Sequence, residues 1–355
     1  MEPTAAALTP SAQRLHGIDA LKALGCVLIV WHHLAFYGPM SDVVHTALPG
    51  LIDWLSRYGR MAVQVFLVVG GFLAAGSLAP QGKAVFREPW RLILRRYRRL
   101  ALPLMVAVLI TVLIAAVVRP WLAHHSVPEA PTFLQLLAHL LLLQDLLGQP
   151  ALSAGIWYVA IDFQLFVMSV ALLTLLPDGR HRWLVLALAA AALLVVNRRV
   201  GMDINGLYFF GSYALGMMAW WASRDERPAG WLLTAALLVG LALALDFRGR
   251  LLVALGVALA LVRLQRGGTA RRWLQTPWLL GLGQISYSVF LIHFPVCLLV
   301  NAMVSQLWPA QLAANSLGLV AAFLLSLLAG RGLYLSVESP AAPWRRMRSP
   351  AFLRS

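Results

Sequence analysis

Ten apolar runs, each of roughly the length that carries a helix across a bilayer, succeed one another between residues 18 and 335, joined by short connections rich in arginine. They fall near 18–38, 59–78, 100–119, 154–176, 183–197, 205–222, 229–246, 250–264, 278–302 and 313–335. Lipid offers backbone N–H and C=O groups no partner outside their own segment, so such runs are expected to be helical. The expected fold class is all-α, a polytopic membrane helix bundle of about ten transmembrane helices. The runs at 183–197 and 250–264 are short for a crossing and are expected to be tilted, paired or partly re-entrant.

Composition agrees, with 60% of the 355 residues hydrophobic and 12% charged, so the bilayer rather than water is the solvent that shapes the fold. A net charge of +15 would suit nucleic acid, but the arginines sit in short clusters between apolar runs instead of on one surface, and no nucleic-acid partner is expected. Placing the N-terminus in the cytoplasm puts 19 lysines and arginines in the inner connections and tail, against 7 in the outer ones. The positive-inside rule then sets both termini in the cytoplasm. The chain divides into a cytoplasmic segment 1–17, a membrane domain 18–335 and a basic tail 336–355. The first run ends without a small-residue cleavage site and is expected to stay as a span. In the longest outer connection, Phe133 to Leu147 reads as a short amphipathic helix resting on the outer face. Cys26 and Cys297 lie inside apolar runs with no metal-ligand spacing, and read as packing residues. No metal site is expected, and no phosphate-binding loop of an ATPase occurs.

The first span carries Asp19, Lys22, His32 and His33. An ionisable group in hydrocarbon costs at least ~2.5–3.5 kcal/mol on insertion scales, so four in one span ask for a reason. At ~100° per residue, Lys22 and His33 lie about 20° from eclipsed, and Asp19 and His33 about 40°, so the three share a face that His32 leaves by about 100°. Lys22 and His33 are ~16 Å apart along the axis. Asp19 and Lys22, three residues apart, are placed to pair. This geometry suits a long substrate with a charged part near Lys22 and a reactive end near His33. Imidazole titrates near neutrality, so His33 is suited to take a proton from a hydroxyl nucleophile. The competing reading is a histidine that satisfies a buried hydrogen bond between helices.

Here the residues bring a family into view. Arg14, Asp19, Lys22 and, after ten further residues, His33 resemble the opening signature of the membrane acyltransferase 3 family, the O-antigen and peptidoglycan O-acetylase type. The stretch Gly59 to Leu73 resembles its second-span signature. The run from Arg95 through Arg99 to Pro103 resembles the basic lead into its third span. Trp157, Tyr158 and Asp162 resemble its tryptophan-to-glutamate motif. Ser286, Tyr287, His293 and Pro295 are similar to its late serine-tyrosine-histidine-proline motif, and Glu338 with Pro340 to its closing Glu-x-Pro. Three positions depart from the pattern: Lys22 stands where arginine is commoner, Gly70 where serine is usual, and Asp162 where glutamate is usual.

The resemblance implies O-acyl transfer from a cytoplasmic acyl-coenzyme A, usually acetyl-CoA, to a hydroxyl of a cell-envelope glycan or lipid-linked sugar, in the cell inner membrane. Acyl-CoA enters as donor substrate, and no bound cofactor is expected. His33 is then the expected general base. Arg14, Lys22, Arg95 and Arg99 are candidates for the coenzyme A phosphates, with membrane anchoring of the arginines as the alternative. Asp19 pairs with Lys22, Asp162 and Glu338 orient or pair with a buried cation, and Trp157 and Tyr158 stack on sugar or sit at the membrane boundary. Tyr287 is a further substrate-binding candidate that does not share a face with His293, and His293, beside Pro295, either lines the acceptor site or satisfies a hydrogen bond in the core. No extracytoplasmic hydrolase-like domain is expected, so a partner that completed the reaction is expected to be a separate chain. A transporter or flippase of a glycan intermediate is the second reading, since a polar stripe also lines permeation paths. A metal-dependent hydrolase using His32 and His33 is disfavoured, because adjacent histidines on a helix diverge.

Overall fold

The computed structural model describes residues 10–175, 180–267 and 276–339, with side chains from residue 17 onward. Among the described residues the protein is helix and turn throughout, without strand. The helices are α1 (Pro10–Phe36), α2 (Met40–His45), α3 (Pro49–Tyr58), α4 (Val63–Leu78), α5 (Pro89–Val118), α6 (Phe133–Leu140), α7 (Trp157–Leu175), α8 (His181–Leu194), α9 (Gly206–Arg224), α10 (Ala229–Leu245), α11 (Gly249–Arg266), α12 (Pro277–Leu307) and α13 (Leu312–Leu333). Each of the ten apolar runs falls on a helix. Seven segments are long and apolar enough to cross a membrane by length and composition: Gly17–Phe36, Pro49–Leu78, Pro89–Val118, Trp157–Leu175, His181–Arg198, Pro277–Leu307 and Leu312–Glu338. α9 is not among them, and its position explains why. It is buried along most of its length, so it faces other helices and tolerates Ser212, Tyr213 and three glycines.

Two helix pairs frame the interior. α4 and α9 cross in backbone contact, because a β-carbon at Gly71 would collide with the Tyr213 carbonyl and one at Gly216 with the Val68 carbonyl. Small residues let membrane helices approach this closely. α1 and α12 run parallel: Gly283 sits against the Asp19 backbone, the Cys26 thiol lies 3.5 Å from the Ser286 carbonyl, and His33 meets His293. Residues 19, 26 and 33 are spaced by sevens, which places them on one stripe of α1.

Three expected boundaries move. α5 begins at Pro89, not near 100, since proline at the first turn is preorganised for a helix. The arginines of 91–99 therefore ride on the helix itself. The last helix continues through a π-turn at Tyr334–Glu338, so Glu338 ends a span instead of lying in a tail. The amphipathic segment is helical only over Phe133–Leu140, opened by a Thr132–Gln135 capping box and followed by turns with Leu142 at φ 58°. It does not simply rest on the outer face. The Leu140 carbonyl accepts a hydrogen bond of 2.8 Å from the Tyr97 hydroxyl, which ties the segment to the arginine-bearing stretch of α5.

Candidate active site

The two parallel helices bring two imidazoles together. His33 Nδ1 lies 2.7 Å from His293 Nε2, and His293 Nδ1 lies 2.7 Å from the Phe290 carbonyl oxygen. A carbonyl only accepts, so His293 Nδ1 carries the hydrogen. Neutral His293 then presents an unprotonated Nε2, which accepts from His33 Nδ1–H. Neutral His33 is left with its lone pair on Nε2. A base whose tautomer is set by an orienting partner is the arrangement that nucleophile activation requires. Both rings are buried. His32 has a separate partner, donating from Nδ1 to the Leu55 carbonyl at 3.0 Å, so the neighbouring histidines do not converge on one point.

On the Lys22 side of the dyad lies a cavity of about 180 Å³. Lys22, Arg96, Arg99, Asp162 and Glu338 line its charged part, and Phe66, Tyr158 and Phe290 line its aromatic part. Lys22 pairs with Asp19 at 3.0 Å, and Arg96 with Asp162 at 2.5 Å. Glu338 accepts from the Ser288 hydroxyl at 2.6 Å, and the Tyr287 hydroxyl donates to the Leu100 carbonyl at 2.8 Å. Arg99 has no carboxylate within 4 Å among the described residues. It also borders a larger cavity of about 1090 Å³, shared with Arg91, Arg95 and Arg98 and closed at one edge by Leu140. Gly70 faces Tyr213 and Asp162, and a β-carbon there would lie 3.4 Å from Asp162 Oδ1. A serine at this position would reach the carboxylate that Arg96 holds here.

Of the residues singled out in the sequence, Lys22, Arg99, Tyr158, Asp162, Tyr287 and Glu338 gather around the first cavity, with Asp19 behind Lys22. His33 and His293 form the dyad. Arg95 faces the larger cavity, and Trp157 faces a third one, away from its neighbour Tyr158. The side chain of Arg14, together with Arg271, Arg272, Pro340 and the tail cations, lies outside the described residues. His33 itself does not line the first cavity. The cavity lining stops at Phe66, Tyr158 and Phe290, whose ring lies 6.1 Å from that of His293.

Three residues carry more of the site than the sequence reading gave them. Arg96 stands on the stripe that continues through Leu100, Leu104, Ala107 and Thr111, all buried, so the apolar period of α5 did mark it as the inward arginine. Phe290 supplies the carbonyl that sets the dyad's tautomers. Gly155, at φ 75°, packs directly on the base: a β-carbon there would lie 3.2 Å from His33 Cε1 and 3.0 Å from Phe290 Cζ. Gly155→Ala is expected to shift the imidazole and lower acyl transfer by about tenfold to a hundredfold while the protein still inserts. Steady-state rates on purified protein test this, and an unchanged rate would show that the dyad does not depend on this contact.

Comparison with known proteins bears directly on this site. A family model described as an acyltransferase domain, that of the acyltransferase 3 family, matches residues 15–331. The acyltransferase MdmB of Streptomyces mycarofaciens is 25% identical over 382 aligned residues, covering 97% of this chain and 95% of that protein. The membrane-bound transacylase BcsY of Komagataeibacter xylinus is 27% identical over 364, covering 96% and 88%. Regulator of hypoxia-inducible factor 1 of Caenorhabditis elegans is 24% identical over 204 residues, 54% of this chain, which spans 40% of the worm protein's length. No solved structure matches. The family model takes in both histidines of the dyad and nearly the whole membrane bundle, and the chain belongs to the acyltransferase 3 family of membrane-bound acyltransferases.

Proposed function

We propose that the protein transfers an acyl group, usually acetyl, from cytoplasmic acyl-coenzyme A to a hydroxyl of a cell-envelope glycan or lipid-linked sugar, with His33 as general base, in the cell inner membrane. The observation that carries this is the hydrogen-bonded chain from the Phe290 carbonyl through His293 to His33, which leaves His33 Nε2 unprotonated. Nε2 takes the proton of the acceptor hydroxyl as its oxygen attacks the thioester carbonyl. The carbon–sulfur bond breaks, and the imidazolium returns its proton to the departing thiolate.

The donor side follows from the charges. Coenzyme A brings phosphates, and Arg99 meets both cavities without a carboxylate of its own among the described residues, so the nucleotide end is assigned to the larger cavity and the acyl-bearing arm to the smaller. Arg95 and Lys22 add positive potential at either end, and charge-assisted bonds to phosphate favour arginine. The layer of Phe66, Tyr158 and Phe290 must part for the thioester to reach the base. While closed, it keeps water from the dyad.

Proteoliposomes with acetyl-coenzyme A, labelled in the acetyl group, outside and an envelope glycan inside separate this reading from transport. Label covalently attached to sugar is expected, and it should require protein inserted with the arginine end of α5 outward. Sugar that crosses unmodified, with no label transferred, would sink the enzyme reading in favour of a flippase.

A further inference from the structure

A third cavity, of about 390 Å³, has no part in the mechanism above. Arg60, Arg248 and Arg250 line it with Asp203 as the single acid, beside the rings of Trp157 and Phe209. The cations are not equally satisfied. Arg248 is held by Asp246 at 3.3 Å, by the Leu193 carbonyl and by Asn197. Arg250 has only neutral partners, the Tyr208 hydroxyl at 2.5 Å and Asn197 Oδ1 at 3.2 Å, and its buried Nε has no hydrogen-bond partner. Among the described residues, neither Arg60 nor Arg250 has a carboxylate within 4 Å. α11 also begins here, at Gly249, and no side chain caps it, so its first amides and its dipole add to the positive field. Unneutralised guanidinium groups beside free helix amides are the donor set that phosphate takes.

The cavity lies at the depth of the dyad. Gly59, which precedes Arg60, sits against the Cβ of His32, and Trp157 is two residues past Gly155, which packs on His33. Along α4, Gln64 lines this cavity and Phe66 the donor cavity; along α7, Trp157 lines this one and Tyr158 the other. The two cationic cavities are thus separated by the aromatic layer that also screens His33.

We infer that this third cavity binds a phosphate of the acyl acceptor, with the adjoining sugar ring on Trp157, so that the acceptor is a phosphate-bearing glycan such as a lipid-linked sugar diphosphate. Calling the occupant the acceptor rests on the acyl-transfer reading; phosphate binding itself does not. The same chemistry is offered by a phospholipid headgroup, and the test separates the two sources.

Purified full-length protein in phosphatidylcholine nanodiscs is titrated with inorganic pyrophosphate and, separately, with coenzyme A. Arg60→Gln removes a charge with no ion-pair partner among the described residues, and it is expected to weaken pyrophosphate at least tenfold and leave coenzyme A affinity unchanged. Arg250→Gln provides a second, independent loss. Pyrophosphate affinity unchanged in both variants overturns the site. In discs containing phosphatidylglycerol, undiminished pyrophosphate affinity supports an acceptor phosphate, whereas its loss makes the occupant a bilayer headgroup and overturns the acceptor assignment. Arg60-dependent pyrophosphate binding without any coenzyme A binding sinks the donor proposal and leaves this site standing.

Discussion

Alanine at His33 is expected to lower acyl transfer by on the order of 10²–10⁴-fold, the range that a positioned acid–base group contributes, with expression and membrane insertion intact. The dyad sharpens this expectation. His293→Ala leaves the base in place but removes the acceptor that holds its proton on Nδ1, so the other tautomer becomes available and the rate falls by at least about tenfold. Since the two act as a unit, the double variant should be no slower than His33→Ala alone. His32→Ala, whose ring donates to the Leu55 carbonyl and not to His33 or His293, should stay within a few-fold of the parent. Initial rates of labelled acyl transfer, normalised to monodisperse protein, check all four. Full activity in His33→Ala would remove the assigned base.

The second large effect is on stability. Arg96→Ala strands the Asp162 carboxylate in the bundle, and breaking a buried pair by removing one partner costs ~3–5 kcal/mol. The protein is expected to lose its folded, detergent-soluble form at markedly lower temperature. Asp162→Leu added to Arg96→Leu removes both charges and should recover most of that loss without restoring transfer. Thermal denaturation followed by size-exclusion chromatography distinguishes these outcomes. If the single variant melts with the parent, the ion pair is not holding α5 against α7.

Much of this was readable before any coordinates. Apolar length placed the helices, because in lipid a run of about twenty residues has no alternative to a helix. The Asp19–Lys22 pair followed from spacing alone, since residues three apart on a helix are neighbours. What spacing within one span could not show was the partner of His33, because His293 lies on a helix 260 residues away and α1 and α12 meet only through tertiary packing. The same limit hid the separation of Trp157 from Tyr158: consecutive helical residues diverge by ~100°, but what each one faces depends on neighbours from α4, α9 and α11. The arginines of α5 show the opposite case. Arg95 and Arg99 were singled out as candidates for the coenzyme A phosphates, whereas the buried stripe running on through Leu100 and Leu104 pointed to Arg96.

The pairing of His33 with His293 sets an order of events during synthesis. The first imidazole is made on α1, 260 residues before its partner is made on α12. A nascent or truncated chain that stops before residue 293 holds an imidazole whose tautomer no second histidine has yet fixed. The orientation of the base is therefore complete only once α12 has packed beside α1.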